Sequence, residues 1–167
     1  MSNRVTSLMH DALAWADALH DFAFHLTGSA AEADDLVQET YARALAAAER
    51  FAGGGNVKAW LFRILRNAFI DLYRRRRDRR TDGELAEEAA APDELEPRQV
   101  REVVGHELEE ALMSLTEEAR VAVLLDLQGF SEAEMAETLG CAAGTVKSRL
   151  FRARAALREK LRDHRDR

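Results

Sequence analysis

The sequence predicts an all-α protein made of two small helical domains joined by a flexible acidic linker, the second domain carrying a helix-turn-helix. Apolar side chains recur at helical spacing along most of the 167 residues, and no stretch shows the alternation of a strand. Only two prolines and nine glycines interrupt the chain, and they are clustered, which favours long helices. The charges are sorted into blocks, with two basic segments separated by acidic ones.

The first domain, residues 1–80, is expected to hold three helices. The first spans about residues 8–26 and ends at Gly28, since glycine readily adopts the left-handed conformation that stops a helix. The second spans residues 29–51, after which consecutive glycines break the chain. The third spans about residues 57–77, within a segment whose net charge is strongly positive.

The second predicted helix has an apolar stripe and a separate polar face. The stripe comprises Leu36, Val37, Thr40, Tyr41, Ala44 and Leu45. The polar face groups Asp35, Gln38 and Glu39, with Ala42 and Arg43 beside them. This face is either an ordinary solvated surface or an acidic docking surface, and helical periodicity does not choose between the two.

The third predicted helix separates apolar and basic side chains more sharply. At about 100° per residue, one side groups Leu61, Ile64, Leu65, Ala68 and Leu72, and the other groups Arg63, Arg66, Asn67, Ile70 and Arg74. Trp60 borders the basic side. Guanidinium groups pair with phosphates and exposed rings stack on unpaired bases, so this side favours single-stranded or partly melted nucleic acid. The alternative is a core tryptophan on a helix with a solvated basic end.

Residues 81–98 are expected to form the linker, because they are rich in alanine and acidic residues and contain both prolines. The second domain, residues 99–167, then resumes with helices over about residues 99–114 and 116–128. Acidic residues outnumber basic ones by fourteen to three over residues 81–126, which suits a linker that lies against a basic partner.

The last two predicted helices, residues 131–139 and 145–162, have the pattern of a DNA-binding helix-turn-helix. Ser131 and Glu134 have capping-box spacing, and Gly140 is placed to end the first of the two helices. The second carries an inward stripe of Val146, Leu150, Ala153, Leu157 and Leu161. Its opposite side presents Lys147, Ser148, Phe151 and Arg152. A helix with such an outer face suits a negatively charged groove.

Several classes of protein are disfavoured by composition. No apolar run reaches the ~18 residues that would span a bilayer, and residues 1–21 lack the basic start and apolar stretch of a signal peptide. The single cysteine, Cys141, cannot form an internal disulfide, which fits a cytoplasmic location. The five histidines lack metal-ligand spacing. We therefore expect no membrane insertion, no metal, no cofactor and no catalytic residues.

Three segments together resemble the extracytoplasmic-function sigma factors, the small alternative sigma subunits of bacterial RNA polymerase. Residues 33–44 (ADDLVQETYARA) look like the part of the family that docks on the polymerase clamp. Residues 57–67 (VKAWLFRILRN) look like its promoter-melting and minus-ten-reading part. Residues 144–154 (GTVKSRLFRAR) look like the region that reads the minus-thirty-five element. The three segments occur in the family's order and cover most of the chain.

The resemblance implies roles for individual residues. Asp35, Gln38 and Glu39 would contact the coiled coil of the largest polymerase subunit. Asn67 would line the pocket for a flipped base, with Lys58, Trp60, Arg63, Arg66 and Arg74 in the same melting surface. Lys147, Ser148, Phe151 and Arg152 would enter the major groove, with Arg149 and Arg154 in the same set. The implied partners are core RNA polymerase through its beta and beta-prime subunits, promoter DNA and an anti-sigma factor.

Other functions remain open at the level of sequence. A helix-turn-helix repressor or activator with a helical dimerisation domain would explain the last third of the chain. It would not explain the basic third helix or the acidic face around Asp35. An enzyme is a more distant alternative, since no set of residues suggests a catalytic site. The glycine-rich loop at residues 52–56 leaves the minus-ten base preference open.

Overall fold

The computed structural model describes residues 3–51, 55–81 and 99–165, and every element in these ranges is a helix. The elements are α1 Asn3–Leu13, α2 Ala16–Thr27, α3 Ala30–Phe51, α4 Val57–Thr81, α5 Gln99–Met113, α6 Glu117–Leu127, α7 Glu132–Leu139 and α8 Ala143–Arg165. The all-α prediction is confirmed. Most of the predicted glycine loop and of the predicted linker lies outside the described residues. Among the helices that are described, none has the length and apolarity needed to cross a bilayer.

The predicted first helix is in fact two helices, α1 and α2. Between them the backbone N–H of Trp15 donates to the carbonyl of Ala12 at 3.1 Å, and the hydroxyl of Tyr41 on α3 donates to the same carbonyl at 2.9 Å. Carbonyls at a helix C-terminus lack partners within the helix. Burial, and secondly the carboxylate of Asp17, raise the pKa of Tyr41 and keep this donor protonated. The break therefore depends on a contact from α3, which local apolar spacing does not reveal.

Several predicted helix ends are confirmed. Gly28 and Gly140 end α2 and α7 in the left-handed conformation, with φ of +71° and +64°. Ser131 and Glu134 form the predicted capping box at the start of α7. The last helix begins two residues earlier than predicted, because the carbonyl of Ala142 accepts hydrogen bonds from the backbone N–H groups of residues 145 and 146.

The core of the first half lies where α2, α3 and α4 pack together. The ring of Phe62 on α4 meets the ring of Phe22 on α2 edge-on, with 5.1 Å between centroids. Phe62 and Phe69 are buried although the predicted stripe omitted them. The stripe on α3 is correct at Leu36, Thr40 and Ala44, but Leu45 is 48% exposed, since it lies about 100° beyond the buried row.

The two halves of the chain pack against each other around a shared core. Helix α4 contacts α7, and α2 contacts α5 and α6. The ring of Phe62 also meets Phe130, which precedes α7, with 5.2 Å between centroids. Arg120 on α6 is buried and donates from Nη1 to the carbonyl of Leu26 on α2 at 2.9 Å. Its other described hydrogen bonds reach the carbonyls of Leu112, Met113 and Leu115.

We predict that Phe62→Ala lowers the free energy of unfolding by about 3–5 kcal/mol, because it leaves a cavity between α2, α4 and the segment before α7. Chemical denaturation followed by circular dichroism measures this change. Phe151→Ala is the matched control: Phe151 is 75% exposed, so the same truncation there should change stability by about 0.5 kcal/mol or less. Equal losses in the two variants would contradict the described core.

Candidate nucleic-acid interface

The outer face of α8 presents the four side chains predicted for groove contact. Lys147, Ser148, Phe151 and Arg152 are all exposed, while Val146, Leu150 and Ala153 are buried behind them. Phe151 is the most exposed of the large apolar side chains in the described residues. The helix is therefore anchored on one side and leaves a basic surface with one aromatic ring on the other.

The polar groups on this outer face make exposed contacts. The amine of Lys147 lies 3.4 Å from a carboxylate oxygen of Glu132. The hydroxyl of Ser148 donates to the carbonyl of Thr145 at 3.0 Å, and Nε of Arg152 donates to the carbonyl of Ser148 at 3.2 Å. Exposed ion pairs contribute little to stability, so these cations can exchange their present partners for phosphates or base edges at small cost.

Arg149 and Arg154 of α8, also predicted to contact DNA, do not lie on this outer face. The guanidinium of Arg149 is largely buried and lies 3.5 Å from a carboxylate oxygen of Glu118. Arg154 pairs with Asp126 on α6 at 2.5 Å. Both arginines therefore brace α8 against acidic side chains of the same half, and the structure does not bring them onto the outer face with Arg152.

The basic side of α4 is exposed at Arg63, Asn67 and Arg74, with Arg66 half-buried beside them. These residues recur at helical spacing and form a stripe along the helix. Nη1 of Arg66 donates to the side-chain oxygen of Asn67 at 3.4 Å. The stripe thus combines guanidinium groups with an amide that can bond to a base edge.

Trp60 is half-buried and packs against the core on one side. Its ring stacks on Phe51 with 4.1 Å between centroids and 11° between planes. A Cβ at Gly55 would lie 3.1 Å from the Phe51 ring, so a side chain there would have to displace this ring by a few tenths of an ångström. The stacked pair lies where the chain enters α4, and the role of Trp60 in the melting surface stays a prediction.

Lys58 is also engaged inside the molecule. Its amine donates to the carbonyl of Gln128 and lies over the rings of Phe130 and Trp15, at 4.7 and 5.2 Å from their centroids. Nearby, the side chain of Asn56 donates to a carboxylate oxygen of Glu134 at 2.8 Å. The predicted melting surface therefore borders the first helix of the helix-turn-helix.

The predicted docking residues Asp35, Gln38 and Glu39 are exposed together on α3. Glu39 accepts a hydrogen bond from Arg43 at 2.7 Å, and Arg43 also bonds Asp71 on α4 at 2.7 Å. The hydrogen bond with Asp71, and secondly the hydrogen bond with Glu39, raise the pKa of Arg43. The acidic face is thus tied to α4 through one guanidinium.

Sequence reasoning missed the contacts that join the two halves. Arg63 donates from Nη2 to the carbonyl and to a side-chain oxygen of Glu137, at 3.2 and 3.3 Å. Arg120, described above, was also missed. Its position at the start of the apolar segment 119–125 was an available signal, because an arginine within such a run must bury a charge that needs acceptors. In the described residues no cluster of potential ligands suits a metal ion.

Two family models match the chain in order. The model described as Sigma-70 region 2 matches residues 13–79, and that described as Sigma-70, region 4 matches residues 105–157. The ECF RNA polymerase sigma factor EcfG of Rhodopseudomonas palustris is 44% identical over 152 residues, which span 90% of this chain and 83% of that relative. The ECF RNA polymerase sigma factor SigL of Mycobacterium tuberculosis is 37% identical over 157 residues, spanning 92% and 85%.

Solved structures show the same architecture. The sigma factor RpoE from Bartonella quintana, in complex with the anti-sigma factor NepR, aligns with a TM-score of 0.76 and 37% identity, over 93% of this chain and 97% of that one. CnrH, in complex with the cytosolic domain of CnrY, aligns with a TM-score of 0.68 and 28% identity, over 95% and 89%.

Proposed function

The chain belongs to the extracytoplasmic-function sigma factors of bacterial RNA polymerase. We propose that each of its exposed polar faces serves a different step of transcription initiation. It is an alternative sigma factor that binds core polymerase and directs initiation at particular promoters. Residues 1–80 would dock on polymerase and open the minus-ten element, and residues 99–167 would read the minus-thirty-five element. Residues 81–98 would link the two.

The observation that carries this assignment is the exposed basic face of α8, held by a buried apolar stripe at the position of the second helix of the helix-turn-helix. A transcription assay with core polymerase and a promoter library tests it. Addition of the chain should select a family of templates that share two spaced elements. Core polymerase that selects the same templates without the chain would overturn the assignment.

We propose that α4 opens and holds the minus-ten strand. Extruding a base from the stack costs a few kcal/mol, and Asn67 would offset part of this through hydrogen bonds to the base edge. Arg63, Arg66 and Arg74 would hold phosphates, as would Lys58 once free of its present partners. Trp60, stacked on Phe51, would support this surface by fixing the start of α4.

The work of the protein is binding, and we propose no catalytic residue, metal or cofactor. Two DNA-binding domains that are individually weak bind one promoter with higher affinity when a tether joins them, because the tether raises their effective concentration. A repressor with a dimerisation domain is not supported, because both sigma regions match in order. We propose that the protein acts in the cytoplasm and that an anti-sigma factor holds it inactive, a proposal supported by the complex of its structural relative RpoE with the anti-sigma factor NepR.

Charge reversal on α3 should weaken docking. We expect Asp35→Lys to lower affinity for core polymerase by about tenfold or more, because like charges are costly at an interface. Glu49→Lys, exposed on the same helix, is the control and should retain normal affinity. Affinity is measured by fluorescence titration, with circular dichroism to check the fold. Equal affinity for Asp35→Lys and the unaltered protein would remove α3 from the interface.

Loss of one arginine on α8 should alter base preference. We expect Arg152→Ala to cost about 1–3 kcal/mol of minus-thirty-five binding and to relax preference at one base position, as for a guanidinium that bonds guanine. A binding assay on randomised upstream elements measures both effects. Arg158→Ala, exposed later on α8, should leave the preference unaltered. An unchanged preference and affinity in Arg152→Ala would argue against a groove-facing helix.

Removal of the Asn67 amide on α4 should affect the minus-ten element and leave upstream binding unchanged. We expect Asn67→Ala to slow open-complex formation and to reduce selectivity at one minus-ten position, because the flipped base loses its hydrogen bonds. Permanganate footprinting and a minus-ten library measure these changes, and the upstream footprint of the same complexes is the internal control. Normal melting with normal selectivity would show that the base pocket lies elsewhere.

A further inference from the structure

Two ion pairs join α8 to α6, one near each end of α6. Nη2 of Arg149 lies 3.5 Å from a carboxylate oxygen of Glu118, in the first turn of α6. Nη2 of Arg154 donates to a carboxylate oxygen of Asp126, in the last turn, at 2.5 Å. Residues 120–125 of α6 are buried, so the helix that carries both carboxylates is itself held by the core.

The two arginines lie on opposite sides of the buried stripe of α8. At about 100° per residue, Arg149 and Arg154 each lie about 70° around the helix axis from the middle of this stripe, in opposite directions. The stripe consists of Val146, Leu150 and Ala153. A rotation of α8 about its axis, in either direction, therefore moves one guanidinium toward solvent and away from its carboxylate.

The buried stripe alone does not set this rotation sharply, because apolar contact is non-directional. A charge-assisted hydrogen bond, by contrast, has a preferred direction as well as a preferred distance. A helix with its side chains is about 10–12 Å across, so a rotation of about 10° moves its surface by about 1 Å. That displacement exceeds the range of about 2.7–3.2 Å within which N–H groups of Lys147 or Arg152 could bond a base edge.

We propose that the two arginines are positioning residues for minus-thirty-five recognition: their pairs with Glu118 and Asp126 fix the rotation of α8, and neither arginine binds DNA. This inference rests on the minus-thirty-five role proposed above for α8. The bases are read by the outer face, and the direction of that face is set from behind by α6. Base preference therefore depends on two carboxylates that do not touch the promoter.

This arrangement has an unusual consequence for charge. Removing an acidic group from a DNA-binding domain ordinarily strengthens binding to every sequence, because less negative charge opposes the phosphates. Loss of the carboxylate at position 118 or 126 instead leaves α8 without one of its two restraints. Affinity for the preferred upstream element should then fall relative to affinity for a scrambled one.

Amide substitutions test this consequence in holoenzyme formed from core polymerase and the full chain. Asp126→Asn and Glu118→Gln remove the charge and retain the shape. We expect each to lower the ratio of affinities for the preferred and the scrambled minus-thirty-five element by about threefold or more, and to relax preference at several base positions. Glu159→Gln, on an exposed part of α8, removes the same charge and should leave the ratio unaltered. An unaltered ratio in either Asp126→Asn or Glu118→Gln would overturn the proposal.

A charge exchange separates positioning from phosphate contact. We expect Arg154→Asp to lower the affinity ratio, and the double variant Arg154→Asp with Asp126→Arg to recover about half of the loss or more, because opposite charges again face each other. If Arg154 binds a phosphate, Arg154→Asp lowers affinity alike for both elements and reduces the salt dependence, and the exchange restores nothing. That second pattern would overturn the proposal. Circular dichroism checks the fold of each variant.

The same measurements separate the positioning role from the function on which it rests. If the unaltered holoenzyme discriminates between upstream elements and both amide variants discriminate equally well, the positioning role is wrong and the minus-thirty-five role of α8 stands. If the unaltered holoenzyme does not discriminate between them, the minus-thirty-five role of α8 fails and the positioning role fails with it.

Discussion

The buried ring of Phe62 is the contact on which both halves of the molecule depend. It meets Phe22 within the first half and Phe130 at the start of the helix-turn-helix. A single helix, α4, therefore contributes to the core of one half and to the junction with the other. Because the apolar side of α4 is held in this way, its basic side has a fixed direction, and Arg63 meets Glu137 on α7.

Charge sorting explains how an acidic protein can bind nucleic acid. The chain has a net charge of −6, yet residues 57–80 and 144–167 each carry nine basic residues. The intervening acidic residues have defined positions in the described part of the chain: Glu118 and Asp126 brace α8, and Glu137 meets α4. Acidic side chains here pair with cations on the basic helices, as well as adding to the net charge.

Most helices and the outward direction of α8 could be predicted because their determinants are local. A capping box, two helix-ending glycines and a 3.6-residue apolar period each involve residues close in sequence. The break between α1 and α2 depends on Tyr41, 29 residues beyond Ala12, and could not be predicted in that way. The stacking of Trp60 on Phe51 and the inward turn of Arg149 likewise depend on which helices become neighbours, and the apolar period of a helix does not show this.

The hydrogen bond between Arg120 and Leu26 is specified by only one of the two residues. The guanidinium must be supplied by the side chain at position 120, but the acceptor is a backbone carbonyl that any amino acid at position 26 would provide. Position 26 can therefore change within the limits of core packing while this bond persists. This hydrogen bond therefore requires no correlated substitutions at positions 26 and 120. Methods that infer contacts from covariation would overlook the bond.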